Sequence, residues 1–387
     1  MSLLTRPVVV TVAGHFGASF AALCMPPFYA YILQANFSSN ALTLAGWYFT
    51  LPTLAAAIAN PLWGRLGDRI GRRASLIRAH GGLCLSFILT GLARTPLEFA
   101  LGLTLQGVLG GTFAASNAYL AEQVSAPRLS AMLSVMQASA KTALFAGPAL
   151  IGLLHGHANL LHLFFYLAVF PGAAFVLLYL LPSQSAGSAA APSSGSAVSG
   201  TDGVSGDCGI DAARLYQLQA MLTIGTVLSY PYFVIDLDSR LGIGAAMAGL
   251  LFGLPHAMFL LLAWPIGRTV HFANAHVYLR HYAALTCAGL LLQLVGDSVA
   301  WMLAGRLLMG VGMTGAYLCI NALAAATTVA AHAGSHFGKL EGANKWGAVA
   351  AGLVASLLVA PLGYAAPMWL GCALLGALFI TLKWRMA

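Results

Sequence analysis

AGWYFTLP at residues 45–52 and AGLLFGLP at residues 248–255 agree at five of eight positions. Both lie inside long apolar runs, so what recurs is a hydrophobic segment at an offset near 204, as in 345 − 141. Working outward, Pro61, Gly64 and Arg65 are echoed by Pro265, Gly267 and Arg268. Gly107, Gly111, Asn117 and Ala118 return as Gly310, Gly315, Asn321 and Ala322, and Pro26-Pro27-Phe28 as Pro231-Tyr232-Phe233. Lys141 coincides with Lys345. The chain therefore reads as two homologous halves.

The medium those halves occupy follows from composition. Of the 387 residues, 59% are hydrophobic and 7% charged, with a mean hydropathy of +0.83. A water-soluble domain carries about a quarter charged residues, so a soluble globule is excluded. A hydrocarbon core of about 30 Å takes about 20 apolar residues per helix, and only helices or closed barrels satisfy the backbone there. The runs here are of helix length, not alternating segments of about ten residues, so the fold class is an all-α membrane protein. Spans are predicted at 8–34, 41–63, 74–93, 96–122, 128–154 and 158–181, then 211–236, 243–266, 275–295, 298–325, 333–360 and 364–385. The domain organisation is a six-helix bundle at 1–182, a linker at 183–210 and a second six-helix bundle at 211–387. The Ser/Gly/Ala-rich composition of the linker predicts flexibility.

The 18 Lys and Arg outnumber the 10 Asp and Glu, yet their placement argues for topology and against nucleic-acid binding. With both termini cytoplasmic, that side holds Arg6, Arg65, Arg69, Arg72, Arg73, Arg128, Arg214, Arg268, Lys339, Lys383 and Arg385, and the opposite loops hold Arg94 and Arg240. This is the positive-inside pattern of a multi-pass protein of a bacterial inner membrane. The six cysteines are scattered without a Cys-x-x-Cys pair, and His155-Gly-His157 has no further ligands nearby, so neither metal nor other cofactor is expected. The first apolar run is too long for a secretory signal and is read as span 1.

GRLGDRIGRR, from Gly64 to Arg73, resembles the loop 2–3 signature of the major facilitator superfamily, with Gly64, Leu66, Asp68, Arg69, Gly71, Arg72 and Arg73 on the signature positions. In that family the loop latches the two halves in the outward-facing state, which the resemblance implies for Asp68 and Arg72. The glycines suit a tight turn, and Asp68 is placed to cap the start of span 3. Gly147-Pro148 followed by Gly152 is similar to the Gly-Pro-x-x-Gly-Gly signature of proton-driven efflux members, with Ile151 where the first paired glycine is expected. Glycines allow close helix approach and the proline bends span 5. The span 4 arginine common in proton-coupled members is here Leu103, whereas its counterpart in span 10 is Arg306.

An ionisable side chain in hydrocarbon costs about 2.5–3.5 kcal/mol, so each should face a cavity or a partner. Lys141 lies thirteen residues into the predicted span 5, near the midplane at ~1.5 Å per residue, and the repeat places Lys345 at equal depth. Arg306 adds a third positive charge. Glu341 stands four residues before Lys345, the spacing at which Glu and Lys pair on one helix face. His15 and His256 titrate near neutrality when unperturbed and join Glu341 as proton-coupling candidates. Asn117 and Asn321 either meet substrate or bond between helices. Aromatics including Phe28, Tyr119 and Tyr230 lie on spans 1, 4, 7 and 10, which line the cavity in the resembled superfamily.

The expected function is secondary transport by alternating access, with proton-coupled export of a small organic anion, such as a carboxylate siderophore or polycarboxylate, held by Lys141, Lys345 and Arg306. Two alternatives stay open: a broad-specificity multidrug efflux pump, and a passive anion channel or uptake facilitator. No catalytic constellation indicates an enzyme. A monomer in the lipid bilayer is expected, with protons and the substrate as its partners.

Overall fold

The computed structural model describes residues 5–37, 39–124, 126–181, 212–326 and 333–384. The linker expected at 183–210 lies outside these residues. Among the described residues there are fifteen α-helices and no strand. In the first half they are α1 (Arg6–Cys24), α2 (Tyr29–Asn36), α3 (Ala45–Ile70), α4 (Arg72–Gly91), α5 (Pro96–Leu109), α6 (Thr112–Gln123), α7 (Ala126–Leu154) and α8 (Leu163–Leu180). In the second they are α9 (Ala212–Val227), α10 (Phe233–Leu241), α11 (Gly244–Gly267), α12 (Phe272–Val295), α13 (Val299–Ala326), α14 (Ala333–Leu362) and α15 (Ala366–Trp384).

Twelve spans arise from these helices because three spans are broken. Span 1 is α1 and α2 around the 3-10 turn Pro26–Phe28, where two successive prolines withdraw backbone donors. Span 7 is α9 and α10, parted around Pro231. Span 4 is α5 and α6, parted at Gly110-Gly111, where Gly111 takes φ +82°, a left-handed conformation open to glycine. The carbonyls exposed by that break are met from other helices. Trp63 Nε1 donates to Val108 O at 2.5 Å and Arg78 Nη1 to Leu109 O at 2.7 Å, with the Arg78 guanidinium 3.8 Å from the centre of the Trp63 ring.

The expected turn between spans 2 and 3 is shorter than the ten-residue signature suggests. Helix α3 runs on through Gly64 and Gly67 to Ile70, leaving Gly71 alone at φ +92° before α4 begins at Arg72. Asp68 does not cap α4. It lies in the last turn of α3, where its carboxylate accepts from Arg72 Nη2 at 2.6 Å.

Exposed leucines, valines and tryptophans, among them Val169, Leu180, Leu261, Leu357 and Trp369, face outward along the helices. Apolar surface on that scale belongs in hydrocarbon. Helices α1–α8 pack on one another, as do α9–α15, and the halves meet along two seams, α7 with α11 and α3 with α14. Below, the end of the bundle carrying the arginine-rich α3–α4 turn is the basic face, and the end carrying the α7–α8 and α14–α15 loops is the opposite face.

Candidate functional site

The two seams are related by the internal repeat and share one construction. In the first, a Cβ on Gly249 would collide with the carbonyl of Pro148, one on Gly253 with that of Phe145, and one on Gly152 with that of Ala245. In the second, a Cβ on Gly46 would collide with the carbonyl of Gly352, and Thr50 Oγ1 reaches Val349 O at 3.4 Å. Small residues thus bring backbone against backbone, the close packing that holds helices together where the hydrophobic effect is absent.

The opposite face is tied across the halves. Tyr31 Oη donates to Asp238 Oδ2 at 2.6 Å, and the second oxygen of that carboxylate accepts from Gly244 N at 2.8 Å. Tyr232 is a second tie: its hydroxyl donates to Thr43 O at 2.5 Å, accepts from Gly46 N at 3.2 Å and lies 3.1 Å from Ser356 Oγ, which accepts from Trp47 N at 3.0 Å. Phe28, expected to line the cavity, is fully buried in this closed region beside Gly249.

Toward the basic face the seams part. Between α7, α11 and α13 opens a cavity of about 1000 Å³, lined by residues including Gln137, Phe259, Trp264, Tyr317 and Asn321. Both repeat-related lysines sit one helical turn from a close contact of their seam, Lys141 four residues from Phe145 and Lys345 four from Val349. Lys141 Nζ lies over the Phe259 ring, 5.0 Å from its centre. The position equivalent to Phe259 in the first half is Ala56, 259 − 203, so the repeat offers Lys345 no ring. Lys345 is half-buried and has no ion-pair partner among the described residues.

The expected Glu341–Lys345 pair is absent among the described residues. Glu341 accepts from Asn344 Nδ2 at 3.4 Å. Spacing on one helix permits a pair but does not compel it, and here the carboxylate takes the Asn344 amide instead.

Arg306 is not a cavity cation. Its side chain is fully buried, Nε donates to Leu251 O at 2.9 Å, Nη2 donates to Phe252 O at 2.5 Å, and the guanidinium stacks 4.2 Å from the centre of Phe233. The local sequence explains it. Pro255 in the middle of α11 has no N–H for the carbonyl four residues before it, which is Leu251, and Arg306 supplies the missing donor. Removing Arg306 from the count of three cations removes the main physical ground for a polycarboxylate cargo.

Other expected site residues disperse. Tyr119 is buried within the first bundle against Leu76, Ala79 and Leu178, and Asn117, on the same helix, has an Oδ1 without a hydrogen-bond partner. His15 is buried in that bundle too, Nε2 3.2 Å from Ser19 Oγ and its ring against Phe113. Tyr230 is buried between Phe252 and His256, with ring centres 4.9 and 6.1 Å away. His256 stands one turn from Phe259 on α11, its Nε2 without a hydrogen-bond partner. Asn321 lines the cavity while donating to Tyr317 O at 3.0 Å. Gly147 packs on Cys24, and α7 stays one helix through Pro148 to beyond Gly152. In the latch segment Arg72 pairs with Asp68 and lies 3.9 Å from Glu122, while Arg73 donates to the carbonyls of Leu178 and Leu181 at the end of α8. Gly64 meets nothing within 4 Å and Arg69 is exposed.

Sequence reasoning missed the Tyr31–Asp238 tie, Ser356, the Trp63–Arg78 cap and Phe259. The small residues Gly46, Gly352 and Ser356 carried a spacing signal for the seam. Nothing in the sequence tied Tyr31 to a residue 207 positions away.

A family profile, the Major Facilitator Superfamily, matches residues 9–280 of this chain. The chain belongs to that superfamily. Its fold is similar to the solved POT family transporter PepTSo, with a TM-score of 0.76 at 13% identity over 98% of this chain and 97% of that one. It is also similar to the human organic anion transporter MFSD10 (TETRAN), with a TM-score of 0.69 at 18% identity over 97% and 99%. In sequence it is 34% identical over 178 residues to the multidrug resistance protein MdtG of Salmonella paratyphi C (strain RKS4594), which is 45% of this chain and 44% of that protein. The chain thus matches less than half the length of this curated relative. As a major facilitator, it is a multi-pass membrane transporter. Among the described residues the charge pairs of its latch segment, Arg72 with Asp68 and with Glu122, lie within the first half.

Proposed function

We propose that the chain is a broad-specificity exporter of amphipathic organic molecules, working by alternating access in an inner membrane with its basic face and both termini cytoplasmic. The carrying observation is the cavity of about 1000 Å³ between the halves, open toward the basic face and walled by Phe259, Leu260, Trp264 and Tyr317. An apolar and aromatic wall takes many cargoes because burial is non-directional, while a few charges orient them. The multidrug relative and the positive-inside charge placement support direction and orientation. The closed opposite face argues against a passive channel, whose pore would be continuous. Proton coupling is assigned to Glu341, one turn from Lys345 on α14, and to His256, one turn from Phe259 on α11.

The test uses everted vesicles energised by a proton gradient. Vesicles bearing the protein should accumulate an amphipathic dye, more slowly with Phe259→Ala or Tyr317→Ala, and should lose the gradient-driven part on adding a protonophore. Equal accumulation in vesicles without the protein would refute export, and accumulation indifferent to the protonophore would refute coupling.

A further inference from the structure

Two aromatic residues of the cavity wall stand together beside one ammonium. Lys141 reaches across the seam from α7 and rests over the face of Phe259 on α11. Tyr317 of α13 packs edge-on against that same ring, centre to centre 5.8 Å at 68°. No carboxylate lies within ion-pair distance of Lys141 among the described residues. The ammonium therefore lies over one ring face with no paired carboxylate among the described residues, and ring faces are what sites for organic cations are built from. Whatever stabilises the charge of Lys141 there would stabilise that of a ligand.

Resting on the exporter reading above, we propose that Lys141 is a tethered stand-in for the cargo: in the empty carrier its ammonium fills the place over Phe259 that the charged group of an amphipathic monocation takes, and cargo binding displaces it. The asymmetry of the repeat supports this. Lys345, at the equivalent depth, has Ala56 where Lys141 has Phe259, so one half carries a cation seat and the other does not. The stand-in also gives the empty carrier a filled seat on its return, so that a stray cation is not carried back. His256 stands one turn from Phe259 on α11, and Arg306 of α13 donates to the Leu251 and Phe252 carbonyls of the same helix.

The proposal fixes the sign of a mutational effect. A lysine that binds an anion loses affinity on removal, whereas a lysine that competes with a cation raises affinity on removal. Radiolabelled tetraphenylphosphonium, a cation with no N–H, and the neutral amphiphile N-phenyl-1-naphthylamine are titrated into purified protein in nanodiscs. Lys141→Gln and Lys141→Met should each bind tetraphenylphosphonium tighter by roughly two- to thirty-fold, the range of a cation over a ring face, with the neutral probe unchanged. Adding Phe259→Leu should return the cation affinity toward wild type or below. Unchanged or weaker cation binding in both monodisperse Lys141 variants, with the neutral probe still bound, would overturn the stand-in and leave the exporter reading intact. Failure of the wild-type protein to bind either probe would overturn both.

Discussion

Replacing Arg306 with leucine, the residue its repeat partner carries at Leu103, separates a helix brace from a substrate cation. The guanidinium donates to Leu251 O and Phe252 O inside the second bundle. Stranding a buried carbonyl costs about 1–3 kcal/mol in proteins generally, and hydrogen bonds between membrane helices measure nearer ~0.6, with a maximum of ~1.7. Two bonds, partly offset by relief from burying a cation, give a net loss of about 1–3 kcal/mol. At ~2 °C per kcal/mol for a chain of this size, Arg306→Leu should lower the melting temperature by about 2–6 °C in detergent. Pro255→Ala supplies an N–H for the Leu251 carbonyl, so the double variant should lose about 1 kcal/mol less than the two single effects added together. The assay is thermal unfolding of the four proteins alongside tetraphenylphosphonium binding to each. A melting temperature unchanged by Arg306→Leu, with ligand affinity lost and no coupling to Pro255, would refute the brace and restore Arg306 to the substrate site.

The closed opposite face predicts a shift in conformational population. Tyr31→Phe removes the 2.6 Å bond to Asp238, about 1–2 kcal/mol for a charge-assisted pair, so spin labels at Arg94 and Asp297 should report a roughly five- to thirty-fold larger opposite-open population. An unchanged distance distribution would count against the tie. Gly352→Val should move the same distances further, because its side chain would strike Thr50 and Gly46 across the seam, and a variant that kept both its distances and its transport rate would contradict backbone contact there. Asp68→Asn removes an ion pair whose partners are 58% and 36% exposed, so it should change stability by less than ~1 kcal/mol while slowing transport; a large melting shift with normal transport would make the residue a structural brace and not a latch.

Composition and the repeat made the membrane, the helix class and the two-fold plan legible, because about 20 apolar residues in hydrocarbon have few ways to satisfy their backbone. The breaks at Pro26-Pro27, Pro231 and Gly110-Gly111 were present as residues, since proline and glycine act on their own backbone. Spacing also placed Lys141 and Lys345 at one depth. The partner of each polar side chain was not legible. Glu341 stands one turn from Lys345 yet bonds Asn344, and Arg306, whose charge suggested a substrate, answers a proline 51 positions earlier, 306 − 255, on another helix.

Sequence alone determined that this chain crosses a membrane as two related bundles, since hydropathy, charge placement and internal repetition are properties of the chain read along its length. Tertiary structure decided which side is closed and where the cavity opens. Those outcomes turn on contacts such as Tyr31 with Asp238 and Lys141 with Phe259, whose energies depend on distance and burial, and both are set by the packing of helices far apart in the chain.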